Sequence, residues 1–379
     1  MKVAQTVIRQ ANPSVDAFSD LVQIQPNLIL AFGSVAALQG AAAVLAQAFP
    51  TAHRAGCSTA GEISAEGVAD GTLVVTALHF ERSQLVQVNT VLADMEDSFA
   101  AGKRLATGLP LDGLKAILIF GQGVQINGSA VLSGMTEVVG TQVPITGGLA
   151  GDGGAFAQTW VLDDKGVSSD RLTCVGLYGD SLEFSHGSFG GWSPFGPARK
   201  VTRCDNNVLF ELDGEPALAV YKRYLGDHAK DLPASGLLFP FAMLGSDHSE
   251  MGLIRTILGV DEAAGSLTLA GDIDPDGYLR LMHASTDALV DGAEAAAEAA
   301  KAMQANPTPG LALLVSCVGR KLVMGGRVDE EVEAVGDVFG QGATLAGFYS
   351  YGEISPFTRA VECKLHNQTM TITYIAEAA

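Results

Sequence analysis

Gly56-Cys57-Ser58-Thr59-Ala60-Gly61-Glu62-Ile63 returns near the other end of the chain as Gly347-Phe348-Tyr349-Ser350-Tyr351-Gly352-Glu353-Ile354. Both stretches keep Gly-x-x-x-x-Gly-Glu-Ile, and both stand in the same setting. In the first, the apolar run Leu28–Gly33 precedes an Ala-rich helical stretch, Val35–Ala48. The polar turn Asp70-Gly71 then opens onto a strand over 72–78. In the last, an apolar run over 311–316 and a helix over Asp329–Phe339 lead into the turn, and a strand over 368–374 follows. A third copy lies between them, with apolar run 116–121, helix 129–139 and strand 172–178. Its turn, 145–152, retains only Gly147, Gly148, Gly151 and Asp152. Self-similarity over strand, helix, turn and strand is the signature of a duplicated structural unit.

Short apolar runs that alternate with helical stretches predict strand–helix–strand units with buried strands. The fold class read from this pattern is α/β to α+β, a two-domain chain of duplicated strand–helix–strand units on mixed sheets. The region between copies two and three differs. Residues 187–196 read as a loop by composition, and Val208–Leu212 runs into the turn Asp213-Gly214. Pro216 stands where a helix over Ala217–Leu225 begins, and Gly226 where it stops. Another Ala/Glu-rich helix covers 287–303. A boundary at this centre gives domains 1–215 and 216–379.

The chain of 379 residues exceeds one ordinary core, and 47% hydrophobic residues can fill two. Its 23 Lys and Arg against 42 Asp and Glu give a net charge of −19. Such a surface repels phosphate backbones and anionic lipid, so neither nucleic acid nor membrane is expected as a partner. Residues 1–15 lack the pattern of a secretory signal, and no apolar run reaches spanning length. Five cysteines at wide spacings suit reduced thiols. The expected location is the cytoplasm, and a homo-oligomer is compatible with the sequence.

No catalytic motif emerges. Cys57 and Ser58 sit in a Gly-rich turn after a strand, but the window is not Gly-x-Ser-x-Gly. Phe348 and Tyr349 fill the same positions in the last copy, which favours a backbone-shaping turn over an activated thiol. The Gly-rich windows are followed by Glu62, Asp152 or Glu353, which would repel a pyrophosphate. The histidines are scattered without zinc-motif spacing. Glu62 and Glu353 occupy equivalent places. They either face a common cleft or cap the backbone N–H groups of their own turns. The chain is read as a non-enzyme, with Cys57 or Glu353 as the residues an enzymatic alternative would use.

Taken together, Gly56–Ile63, Ser316-Cys317-Val318-Gly319-Arg320, the turn at 347–354 and Leu365-His366-Asn367-Gln368-Thr369-Met370 resemble the FIST family. In that family a FIST N domain is followed by a FIST C domain, and 208–225 is similar to the join between them. The resemblance implies a sensory protein for a small ligand, for which amino acids have been suggested. It also extends to NosP-type nitric-oxide-sensing proteins, which bind haem b and regulate a histidine kinase or a cyclic-di-GMP enzyme. No output domain is read in this chain, so a signal is expected to leave through a partner.

The residues that could serve these roles are few. A non-covalent haem needs an axial ligand beside an apolar pocket. His366 is the candidate metal ligand, and His186 precedes a loop whose Trp192 and Phe195 could line a porphyrin. His366 has a structural alternative, tying a strand end. For a small ligand the candidates are Cys57, Ser58, Glu62, Tyr349, Tyr351 and Glu353.

Overall fold

The computed structural model describes residues 1–10, 12–304, 308–357 and 362–378. The three sequence copies are three structural units. Unit one opens on Leu28–Gly33, buried along its whole length, and its parallel neighbour is His53–Ser58. Parallel neighbours need a crossover, and here the helix Val35–Ala48 makes it. The Ser34 side chain caps that helix by accepting from the Ala37 N–H at 3.3 Å. Ala37, Leu38, Ala41 and Leu45 form the face it buries.

Units two and three repeat the plan. Leu114–Gly121, Gly128–Val139 and Ile145–Leu149 stand in unit two. Gly310–Cys317, Asp329–Phe339 and Ala343–Ser350 stand in unit three, with a short extra helix, Val318–Met324. In each, a return strand pairs antiparallel on the other side of the opening strand: Leu73–His79, Arg171–Tyr178 and Met370–Glu377.

After its second strand each unit sends a hairpin into another unit's sheet. Glu62–Ser64 and Gly67–Ala69 leave unit one to pair with Ala343–Ser350 of unit three. Gly352–Pro356 and Cys363–His366 leave unit three for Ile145–Leu149 of unit two. Val161–Asp163 and Gly166–Ser168 leave unit two for His53–Ser58 of unit one. The exchange closes a ring of three six-stranded sheets. An edge strand completes each sheet: Lys2–Ile8, Gln84–Val91 and Leu182–Phe189.

The ring core is narrow and aromatic. Phe32 stacks on Phe348 at 4.7 Å and meets Phe120 at 5.5 Å. The register pairs Phe32 with Cys57, Phe120 with Gly148, and Val315 with Phe348. Unit three therefore supplies its ring from the second strand rather than the opening one. Gly148 makes the room, since a Cβ there would lie 2.7 Å from Val315 Cγ1. Gly56, Gly147 and Gly347 recur one position earlier. A Cβ at any of them would fall within about 2 Å of a neighbouring strand's carbonyl oxygen, which only glycine permits.

Between the edge strand Leu182–Phe189 and the helix Thr286–Ala302 the chain inserts a fourth sheet. It is antiparallel, spans Ser193–Pro194 to Tyr278–His283, and packs the helix Ala217–Leu225 on its own core. A cut after 215 falls inside this sheet, within the strand Glu215–Pro216 that pairs with Val208–Leu212. The ring itself draws on both ends of the chain. No helix among the described residues is long and apolar enough to cross a membrane.

Candidate functional site

The parallel strands of all three units end on one side of the ring. Ligand sites in α/β sheets form outside the carboxyl ends of such strands, where connections diverge. Here the residues that follow those ends, Ser34, Thr59–Glu62, Asp152–Gly154 and Val318, line a cleft of about 640 Å³. That volume lies within the roughly 300–1,000 Å³ typical of small-molecule sites.

Backbone hydrogen bonds between units build its floor. The Ala60 N–H donates to the Tyr349 carbonyl and the Tyr349 N–H to the Gly61 carbonyl, both at 2.8 Å. Gly151 and Gly153 N–H groups donate to the Ser58 and Thr59 carbonyls at 2.8 and 3.0 Å, and Tyr351 donates to Leu149 at 3.1 Å. Every pair of units is joined. Lys321, from unit three, reaches over unit one. Its ammonium donates to the Ala60 carbonyl at 2.9 Å, pairs with Asp70, and lies 5.4 Å from the Tyr349 ring centroid.

The acids are held in place by donors. Asp152 accepts the N–H groups of Phe156, Ala157 and Gln158 at 2.7–2.9 Å and the hydroxyl of Tyr351. Burial pushes this carboxyl up, but the Tyr351 and backbone donors outweigh it and leave it below its ordinary range. Phe156 stacks on Tyr351 at 4.2 Å and holds this loop against the cleft. Glu62 receives the Thr59 hydroxyl at 2.5 Å and the Thr72 N–H and hydroxyl at 2.8 Å. Burial still leaves its carboxyl raised.

Of the residues singled out for a small ligand, Glu62 lines the cleft. The Tyr351 hydroxyl holds the Asp152 loop by accepting the Gly154 N–H at 2.9 Å. Tyr349 lies beneath, fully buried, its hydroxyl donating to Glu331 at 2.6 Å. Ser58 is buried between units, donating to the Gly151 carbonyl at 2.6 Å and accepting the Trp160 N–H at 2.8 Å. Cys57 is fully enclosed in the ring core, where burial pushes the thiol well above its usual range. Glu353 is fully enclosed too, and burial pushes its carboxyl up to about 7.

The residues singled out for haem do not meet around one cavity. His366 is buried, and its Nε2 lies 2.9 Å from the Ser355 carbonyl. A carbonyl only accepts, so Nε2 carries the proton and the lone pair of the neutral ring is on Nδ1. Burial holds this imidazole down to about 4. His186 points into the interior with Nδ1 sealed and unpartnered. Trp192 donates to the Gln368 carbonyl at 2.8 Å and lines a cleft of about 180 Å³ in which no histidine takes part. Phe195 is exposed, edge-on to Tyr224 and His283. Among the described residues no group of three or more His, Cys, Asp or Glu could hold a metal ion.

Lys321, Asp70 and Asp152 complete the cleft and are absent from the candidates taken from the sequence. Asp70 and Asp152 stand in turns that the repeat had marked. Lys321 directly follows the stretch 316–320, and its reach into unit one depends on the ring.

The chain is a ring of three duplicated strand–helix–strand units around one shared cleft. The family comparison makes that specific: residues 27–215 match the FIST N domain and residues 217–356 the FIST C domain. The chain belongs to the FIST family, and FIST domains are small-ligand sensors in signalling. It is 26% identical over 201 residues to an uncharacterized protein of Methanocaldococcus jannaschii, MJ1623, covering 48% of this chain and 37% of that one. The chain thus spans little more than a third of that relative's length. Two solved structures of cyanuric acid hydrolase are remotely similar. One, titled as evolutionary innovation by structural concatenation, has a TM-score of 0.38 at 10% identity, covering 99% of each chain. The other, from A. caulinodans, has a TM-score of 0.37 at 8% identity, covering 100% of each.

Proposed function

We propose that this chain is a cytoplasmic, haem-free sensor that binds a small polar molecule in the cleft at the centre of the ring and signals through a partner protein. The observation that carries the reading is that one cleft is lined by all three units at the carboxyl ends of their parallel strands. A ligand there touches Lys321 of unit three, the Asp152 loop of unit two and the Thr59–Glu62 turn of unit one. Its occupancy therefore bears on how the units are held together.

Support for a haem-free site comes from the scatter of His366, His186, Trp192 and Phe195, which line no common cavity among the described residues. Support for binding without turnover comes from Cys57 and Glu353, both enclosed and out of reach of a substrate. A thermal-shift screen of small polar metabolites tests the reading, because a ligand that binds only the folded state raises the melting temperature. At least one compound is expected to raise it in the wild type and not in Lys321→Met. A haem titration is expected to give no Soret band. A stoichiometric Soret band that shifts with nitric oxide would replace this reading with a haem sensor.

A further inference from the structure

Arg255 ends the strand Glu250–Arg255 of the inserted sheet and is buried, with 4% of its surface exposed. Its surroundings differ from those of the other deeply buried guanidinium, Arg320, which is paired with Glu331. Arg255 Nε donates to the Asp272 carbonyl at 3.1 Å, and Nη1 donates to the Ile254 and Leu365 carbonyls at 3.2 Å. Among the described residues it forms no ion pair, and Nη2 has no acceptor. Nη2 is also not among the sealed unpartnered atoms, so it opens on the cleft of about 440 Å³ that Arg255 lines. Its hydrogen-bond partners are neutral carbonyls, and the Asp272 carboxylate supports its charge without forming an ion pair; a bidentate oxyanion is the partner its fork geometry accepts.

The opposite wall carries hydroxyls. Ser129, Ser133 and Thr136 stand four and three residues apart on the helix Gly128–Val139 of unit two, so they share one face. Ser129 Oγ is sealed beneath this face, so the hydroxyls left to meet a ligand are those of Ser133 and Thr136. The rim charges restrict the ligand. Lys364 is paired with Glu362, which leaves Asp272 to repel a second negative charge. Asp272 is itself engaged by the Asn127 amide at 3.3 Å.

We infer that this cleft, between the inserted sheet, the unit-two helix and the unit-three strand Cys363–His366, is a second binding site that takes a small organic monocarboxylate on Arg255. It is separate from the central cleft. A carboxylate held here bridges the inserted sheet to the ring, and burial that brings Arg255 down to about 10 is relieved by the anion.

Isothermal titration of the full chain with acetate, propionate, lactate and pyruvate tests the assignment, with phosphate and chloride at matched ionic strength as controls. At least one carboxylate is expected to bind the wild type more tightly than chloride or phosphate. Arg255→Gln is expected to weaken it tenfold or more. Ser133→Glu, at an exposed position on the hydroxyl face, adds a carboxylate to the lining of the same cleft and is expected to do the same with an unchanged circular dichroism spectrum. Lys321→Met is expected to leave it unaltered. The assignment is overturned if no carboxylate exceeds chloride, if phosphate binds more tightly than every carboxylate, or if binding survives both Arg255→Gln and Ser133→Glu.

Discussion

Glu62 and Glu353 are held by the same three hydrogen bonds in two different units. A hydroxyl three residues earlier, from Thr59 or Ser350, donates to one carboxylate oxygen. The N–H and hydroxyl of a later threonine, Thr72 or Thr369, donate to the other. The repeated Gly-Glu-Ile is thus a clasp that ties the turn after the second strand to the start of the return strand.

Removing the Glu353 carboxyl leaves buried donors without an acceptor, each costing about 1–3 kcal/mol. Glu353→Ala is expected to lose about 3 kcal/mol or more in urea unfolding, and Glu353→Gln less. An unchanged midpoint for Glu353→Ala would contradict the clasp.

The same burial sets a pH dependence. Glu353 is raised from 4.5 to about 7 in the folded chain, so the folded state holds a proton that the unfolded state has released. Its contribution is fully present below pH 4.5 and is lost as pH rises through 7, on the order of 3 kcal/mol. Melting temperatures measured from pH 5 to 8 are expected to fall more steeply in the wild type than in Glu353→Gln.

His366, the register partner of Glu353, has the opposite sign. Its folded value is held down to about 4 from 6.5, so the folded state carries fewer protons than the unfolded one. Its contribution is present above pH 6.5 and is lost as pH falls through 4, again on the order of 3 kcal/mol. His366→Gln is expected to flatten the acid limb of a stability profile between pH 4 and 6.5. A profile unchanged by the substitution would show that the imidazole is not buried neutral.

Arg320 and Glu331 form a fully buried pair at 2.7 Å, with Ser316 and Tyr349 hydroxyls on the other Glu331 oxygen. Breaking such a pair from one side strands a charge and costs about 3–5 kcal/mol. Arg320→Met and Glu331→Leu alone are each expected to cost that much. The double variant is expected to recover a large part of it, read as a coupling energy in a denaturant cycle. Additive losses would show that the two charges are not coupled.

Much of the fold was legible in the sequence. The helices Val35–Ala48, Ala217–Leu225 and Asp329–Phe339 stand at the bounds their spacing predicts, because caps and periodicity are local. The edge strands Lys2–Ile8 and Gln84–Val91 were not legible, since both are only partly buried along most of their length and carry no apolar run. Nor was the hairpin exchange. Glu62–Ser64 and Gly67–Ala69 are three residues each, and nothing local tells them to pair with Ala343–Ser350 rather than at home. That exchange brings Lys321 over the Ala60 carbonyl, which is why sequence reasoning found Glu62 but not Lys321. His366 was drawn toward haem by its motif, while its actual partner, the Ser355 carbonyl, sits across a strand pair.

The central claim is that a ligand binds where the three units meet. Hydrogen–deuterium exchange with and without the compound that most raises the melting temperature tests it most directly. The account expects slowed exchange in 59–71, 152–158 and 318–325, the segments around the central cleft. Protection confined to the inserted sheet, or no protection in these three segments, would contradict it.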